Sequence, residues 1–300
     1  MVWRSVMISR PAKLRREHFS LAIEQEETAF VPFEDIAVIV LNHREITLTH
    51  PVLSACAEYG IGLYATGNNH QPAGVFLPFL PHSRTTRMMR LQLAIAKPAA
   101  KQAWASIVRR KIENQAECLK LAGGKGADRL ESYARRVRSG DPENMEAQAA
   151  AFYFAQLFGA KFYRAEECWS NAALDYGYAV LRGAIARGLV AHGLHPTVGL
   201  FHDSEQNAFN LADDVIEPFR PLVDLHVIRH PAATEGDLIP ADKTGLVALL
   251  NVDVAMPQGR MSVLSAIEYA VESLVRVYEG ATREPDLPRL VGLQLHALEH

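Results

Sequence analysis

At 300 residues, 49% of them hydrophobic and 22% charged, the chain is long enough to bury large cores and to form about two domains. Its mean hydropathy of −0.03 and its longest aliphatic run, IAVIVL at Ile36–Leu41, exclude a helical membrane span, which needs about 20 apolar residues. The formal charge of −3 hides a polarised chain: from Arg84 to Ser139 fourteen basic side chains stand against four acidic ones, a net of +10, so the remainder carries −13.

The first ~80 residues read as strands. VWRSVMI, HFSLAIEQ, TAFVPF, DIAVIVL and REITLT are rich in Val, Ile, Phe and Thr, residues that suit a pleated, half-buried surface. A short helix is expected from Pro51 to Tyr59, with Pro51 in its first turn and Gly60 as its stop. GIGLYAT and AGVFLPF then read as two more strands around the turn-rich GNNHQP. At Ser83 the period changes to 3.6. Helices are expected from Ser83 to Lys97, with Pro98 ending or kinking the first, from Ala99 to Leu121, from Asp128 to Val137, and from an Asp141 cap to Gly159. Two more should cover Ala165 to Arg187 and Glu205 to Glu217, with His192 to Asp203 as a loop between them. A last helix should cover Met261 to Glu279. The fold class is therefore α+β: a small N-terminal β domain, residues 1–82, followed by a larger all-α domain, residues 83–297. Leu298, Glu299 and His300 read as the remnant of a tag.

Three scattered cysteines, Cys56, Cys118 and Cys168, form no CxxC pair and no disulfide framework, as expected of a cytoplasmic protein. The N-terminal MVWRSVMISRPAK places charges where a signal peptide needs apolar residues. The basic segment points to a polyanion. A solvated helix face is the commoner meaning of a basic helix, but this excess runs for 56 residues with few acids to pair with. Arg84, Arg87, Arg109, Arg110, Lys111, Arg135, Arg136 and Arg138 are the candidate phosphate contacts.

Glu146, His202 and Glu217 are the candidate ligands of one divalent metal. Carboxylate oxygens with one imidazole suit Mg²⁺ or Mn²⁺ better than Zn²⁺. Each residue alone has an ordinary reading. Glu146 favours a helix N-terminus, and His202 follows the apolar TVGLF. Asp214 and Glu217 share a helix face at i, i+3, with Arg220 one turn on as a partner. No P-loop, GxGxxG or GxSxG competes with this reading.

WASIVRRKIENQAECL, NMEAQAAAFYFAQLFG, NAALDYGYAVLRGAIARGL and GLFHDSEQNAFNLADDVIEPFRP together resemble the integrase of CRISPR spacer acquisition, the first of the universal CRISPR-associated proteins. The resemblance runs over nearly the whole chain. KIENQA and the opening WRSV resemble the type II branch. The resemblance implies a β domain before a helical one and a metal-dependent DNA endonuclease and integrase acting in antiviral defence. It implies Mg²⁺ or Mn²⁺ held by Glu146, His202 and Glu217, with Asp214 as support. Many family members carry Asp at the last ligand position, where this chain has Glu217. The implied partners are double-stranded DNA with 3′ ends, CRISPR repeat DNA, a second copy in a homodimer and the small second universal CRISPR-associated protein. The effector nuclease is a further candidate partner, and no membrane is involved. Two other readings are a branched-DNA nuclease that integrates nothing and a non-catalytic DNA-binding scaffold.

Overall fold

The computed structural model describes residues 4–67, 72–79, 82–231 and 237–297. The expected tag remnant, the first residue of the WRSV motif and much of the GNNHQP loop lie outside them.

Among the described residues the N-terminal part holds eight strands and one α-helix: β1 (Arg4–Ile8), β2 (Ala12–Glu17), β3 (Ser20–Glu24), β4 (Thr28–Pro32), β5 (Ile36–Leu41), β6 (Ile46–Leu48), α1 (His50–Glu58), β7 (Gly62–Thr66) and β8 (Pro72–Phe76). One sheet has the order β1-β5-β7-β8, parallel except for β8. The other has the order β4-β3-β2-β6, antiparallel except that β6 runs parallel to β2. Strand β2 escaped the sequence reading because AKLRRE is mostly charged. It alternates nonetheless: Ala12 and Leu14 are buried while Lys13 is exposed. Leu14, Leu21, Ile36, Ile39, Val52 and Ile61 form the core between the two sheets and α1.

Strand β5 is apolar on both faces, and both are used. Ile36 and Ile39 enter the N-terminal core, whereas Val38 and Val40 enter the core of the helical part. Continuous apolar runs of this kind belong to strands covered on both sides. The contact is close: a Cβ at Gly183 would stand 2.2 Å from the Tyr64 ring.

The helical part comprises α2 (Thr85–Ala94), α3 (Lys97–Leu121), α4 (Ala127–Arg136), α5 (Met145–Leu157), α6 (Trp169–Ala191), α7 (Asn210–Ile216), α8 (Arg220–Arg229), α9 (Pro240–Ala248) and α10 (Val263–Tyr278). A 3-10 turn, Glu217–Phe219, joins α7 to α8. Pro98 does not end α2. It sits in the first turn of α3, where its missing N–H costs nothing. The all-α expectation needs one correction: β9 (Asp253–Met256) and β10 (Gly259–Ser262) form a hairpin before α10. The C-terminal chain returns along β9, where Ala255 and Arg289 exchange backbone hydrogen bonds of 3.0 and 2.8 Å. No helix among the described residues is long and apolar enough to cross a membrane.

Candidate metal centre

Three helical segments deliver charged side chains to one buried point. Glu146 comes from the first turn of α5. That turn is held by two side chains: Asn144 accepts from the Ala147 N–H at 3.3 Å, while Asp141 accepts from the N–H groups of Met145 and Glu146 at 2.9 and 3.0 Å. The cap is thus Asn144 rather than the Asp141 expected from sequence, although Asp141 serves the same orphan donors. Both adopt positive φ, 47° and 51°, which Asn and Asp tolerate better than other side chains.

Glu217 opens the 3-10 turn and is 4% exposed. The prolines at 218 and 221 supply no N–H, so the chain tightens here and turns Glu217 inward. Its Oε1 accepts from Arg220 Nε at 2.9 Å. Its Oε2 pairs with the Lys111 ammonium. Burial pushes the Glu217 carboxyl up, but Arg220 and Lys111 outweigh it and bring it down to about 2.

Lys111 comes from α3 and is only 7% exposed. Its Nζ stands 2.6 Å from Glu146 Oε1 as well. The two candidate carboxylates therefore converge on a single cation. This corrects the expectation that Lys111 lies on a DNA-facing surface. Helical periodicity carried the missed signal: Trp104, Val108, Lys111, Ile112 and Gln115 fall on one stripe, and all five are buried.

His202 sits at the end of the loop that wraps Asp214. Asp214 Oδ2 accepts from the N–H groups of Leu200 and Phe201 at 2.6 and 3.2 Å. Its Oδ1 accepts from the His202 N–H at 3.2 Å and meets His202 Nδ1 at 2.7 Å. Asp214 has no exposed surface. Burial pushes its carboxyl up, against the pull of His202 and the loop amides. The bond to Asp214 in turn holds His202 above its ordinary value, against partial burial. With Nδ1 committed, Nε2 is the nitrogen left for a ligand, as in metal sites where a carboxylate fixes the imidazole tautomer. His202 is close enough to Glu217 to help hold that carboxyl low.

The donors fit a hard divalent ion: two carboxylates that already share one cation, and an imidazole oriented from behind. As the side chains stand, no three His, Cys, Asp or Glu among the described residues close around an ion-sized space. The ammonium of Lys111 occupies the point where the carboxylates meet.

An aromatic surface adjoins the site. Phe201 is 52% exposed and lies flat on the buried Trp104, with ring centroids 4.4 Å apart and planes 2° apart. The His202 ring stands edge-on to both. Trp104 is core, and the exposed ring beside the site is Phe201.

The basic candidates divide. Arg84 and Arg135 are exposed and have no ion-pair partner among the described residues. Arg87 pairs with Glu279 at 2.9 Å, and Arg136 with Glu143 at 3.1 Å. Arg138 pairs with the same Glu143. Arg109 and Arg110 line a cleft of about 370 Å³ with Arg135 and Arg289, which also contains Glu113, Glu117 and Glu131. Burial draws the Arg110 guanidinium below its usual value.

Residues 6–237 match the family model described as CRISPR associated protein Cas1. The CRISPR-associated endonuclease Cas1 of Neisseria meningitidis serogroup C (strain 8013) is 43% identical over 304 residues, spanning 100% of both chains. A CAS1 protein from Thermotoga maritima has the same fold, with a TM-score of 0.73 at 19% identity, covering 99% of this chain and 100% of that one. A casposase bound to its integration product reaches 0.75 at 18% identity, over 95% and 93% of the two chains. A chain of a Cas6-RT-Cas1–Cas2 complex reaches 0.70 at 16% identity, over 94% of this chain and 35% of that one.

Proposed function

We propose, for a chain that belongs to the CRISPR-associated Cas1 family, that it is a metal-dependent DNA endonuclease and integrase that inserts new spacers into a CRISPR array. The observation that carries the reading is the convergence of Glu146 and Glu217 on one buried cation beside a histidine fixed by Asp214. Separate helices converge on this point, at the cost of burying charge. Two similar structures lend support: one holds an integration product and the other is a complex with Cas2.

In this reading Glu146, Glu217 and His202 Nε2 hold Mg²⁺ or Mn²⁺. When bound, the ion acts as a Lewis acid on a phosphoryl oxygen and stabilises the charge that develops there. Asp214 keeps the proton on His202 Nδ1, so that Nε2 faces the ligand side as a neutral acceptor. Arg220 fixes Glu217 from behind. Phe201, backed by the rigid Trp104, offers a flat face on which a splayed base can stack while its phosphate lies at the site. Exposed basic side chains such as Arg84 and Arg135 contact phosphates without reading sequence. The nucleophile is a DNA 3′-hydroxyl, and placing both strands in line supplies much of the rate. Water in the same place gives hydrolysis. Partners in this reading are a second copy of the chain and a small Cas2-like protein. The effector nuclease is a further candidate.

The test is strand transfer of a short duplex into supercoiled repeat DNA with Glu146→Ala, His202→Ala and Glu217→Ala. Each variant should lose transfer and cleavage while retaining DNA binding. If two of the three keep near wild-type turnover in Mn²⁺, the assignment fails.

A further inference from the structure

The feature that neither the family relationship nor the sequence accounts for is the ammonium between the two carboxylates. Lys111 Nζ lies 2.6 Å from Glu146 Oε1 and pairs with Glu217 Oε2. Arg220 lies against Glu217 from the other side at 2.9 Å. Two cations thus face two carboxylates, and the cluster is already neutral. A bare Glu217 carboxylate, 4% exposed, would be costly to bury without a partner, and like charges this close would drive Glu146 and Glu217 apart. A divalent ion entering such a cluster adds two positive charges to a balanced site.

We propose that Lys111 is the resident counter-ion of the metal site: it holds Glu146 and Glu217 on one point in the metal-free protein, and a divalent cation binds by displacing its ammonium. This rests on the metal reading above. Lys111 is suited to the role where Arg would not be. An ammonium is a compact point charge on four flexible methylenes, able to swing aside without breaking a planar, two-pronged contact. Lys111 is itself 7% exposed on the buried stripe of α3 that holds Val108 and Ile112, and a long apolar stem can stay packed while its charged head moves. Arg220 cannot yield in this way. Its guanidinium is fixed between Glu217 and the face of the Tyr178 ring, 4.6 Å from the centroid.

Competition between cations for one site has a definite sign. Replacing Lys111 by an uncharged side chain of similar length removes the competitor, so Mn²⁺ should bind more tightly even as the metal-free protein becomes less stable. A role confined to packing, or to holding the ligands in place for the metal, would weaken Mn²⁺ binding instead.

The experiment is Mn²⁺ titration by calorimetry, with melting curves with and without Mn²⁺, on the full-length wild type and the Lys111→Met, Lys111→Gln and Lys111→Arg variants. Lys111→Met and Lys111→Gln should bind Mn²⁺ roughly tenfold more tightly, within the usual range of coupling between ligands. They should melt lower without Mn²⁺ and gain more from it than the wild type does. A Met variant that folds only when Mn²⁺ is supplied supports the exchange too. Lys111→Arg, which keeps the charge, should bind no more tightly than wild type. Unchanged or weaker Mn²⁺ affinity in both uncharged variants overturns the proposal. Wild-type protein that binds no Mn²⁺ sinks the metal reading and the exchange together, whereas normal wild-type binding with unaltered variants sinks the exchange alone.

Discussion

Asp214 is wholly buried and receives four donors, three from the backbone of residues 200–202 and one from His202 Nδ1. A carboxylate suits this place because it accepts at both oxygens and donates nothing. Asp214→Asn puts an NH₂ group against either the Leu200 and Phe201 amides or the His202 side. The expected result is a stability loss of about 3 kcal/mol from mispaired buried donors, with activity reduced roughly 10- to 100-fold even well below the melting temperature because His202 loses its orientation. Gly199→Ala should have a related effect, since its Cβ would stand 2.2 Å from the His202 carbonyl oxygen and 2.9 Å from Asp214 Oδ2. Wild-type strand transfer in Asp214→Asn would show that the Asp–His contact is incidental. At this scale much of the site was legible in the sequence. The i, i+3 spacing placed Asp214 and Glu217 on one face, and Arg220 was the expected partner of Glu217. Lys111 was misread for a physical reason. In RRKIENQ three cations are adjacent, and one-dimensional charge counting treats them alike, although helical geometry turns the third into the core while Arg109 and Arg110 stay half-buried at a cleft.

The elements that hold the site are tied together by Asn114, three residues along α3 from Lys111. Its Nδ2 donates to the carbonyls of Pro218 and Pro288 at 2.7 and 3.0 Å, and its Oδ1 accepts from the Leu290 N–H at 3.0 Å. One side chain thus fixes the turn that carries Glu217 and the returning C-terminal chain. Asn114→Ala orphans three buried backbone groups and should cost about 3 kcal/mol, a fall in melting temperature of roughly 5 °C for a chain of this size. A melting temperature within a degree of wild type would show that the C-terminal segment is held by its β9 contacts alone. The same packing logic explains what the sequence left unread. Helix α9, PADKTGLVA, has little apolar periodicity and an internal Gly245. The glycine is there for contact: a Cβ would stand 3.2 Å from the His226 ring of α8. His226 also stacks on His230 with centroids 4.4 Å apart, and burial, aided by His230, draws its imidazole down to about 4. A base whose folded value is depressed favours the neutral form, so this contribution to stability is complete above about pH 6.5 and is lost as pH falls toward 4. Melting temperature should therefore fall over that window, and His226→Asn should flatten the slope. Parallel slopes for the two proteins would mean that the ring takes its proton without cost.

For the whole molecule, two expectations turn on where charge and apolar surface end up once the chain is folded. The +10 of the basic segment is partly neutralised by acids outside it: Arg87 meets Glu279, Arg109 approaches Glu284, and Arg136 and Arg138 share Glu143 just beyond its end. A linear count could not reveal these pairings, because Glu143, Glu279 and Glu284 lie in the acidic remainder. The homodimer that the family resemblance implies needs a surface that the fold leaves open. IAVIVL has no spare apolar face, since the helical part covers one side of β5 and the N-terminal core the other. One open edge is β4, which pairs only with β3 among the described residues. Four of its five residues are exposed, with Phe30 at 54%, and an unpaired, exposed edge strand is a ready template for a second chain. Because β5 and α6 share a core, a fragment beginning near Ser83 would lay bare the Val38 and Val40 side of that core and report on misfolding. The decisive variant is therefore in the full chain. Wild-type protein at micromolar concentration should sediment at about twice the 33.2 kDa chain mass, and Phe30→Lys, a charge on the edge, should shift it toward the monomer with little change in melting temperature. Monomeric wild type would remove the dimer, and a Phe30→Lys variant that stays dimeric would move the interface away from β4.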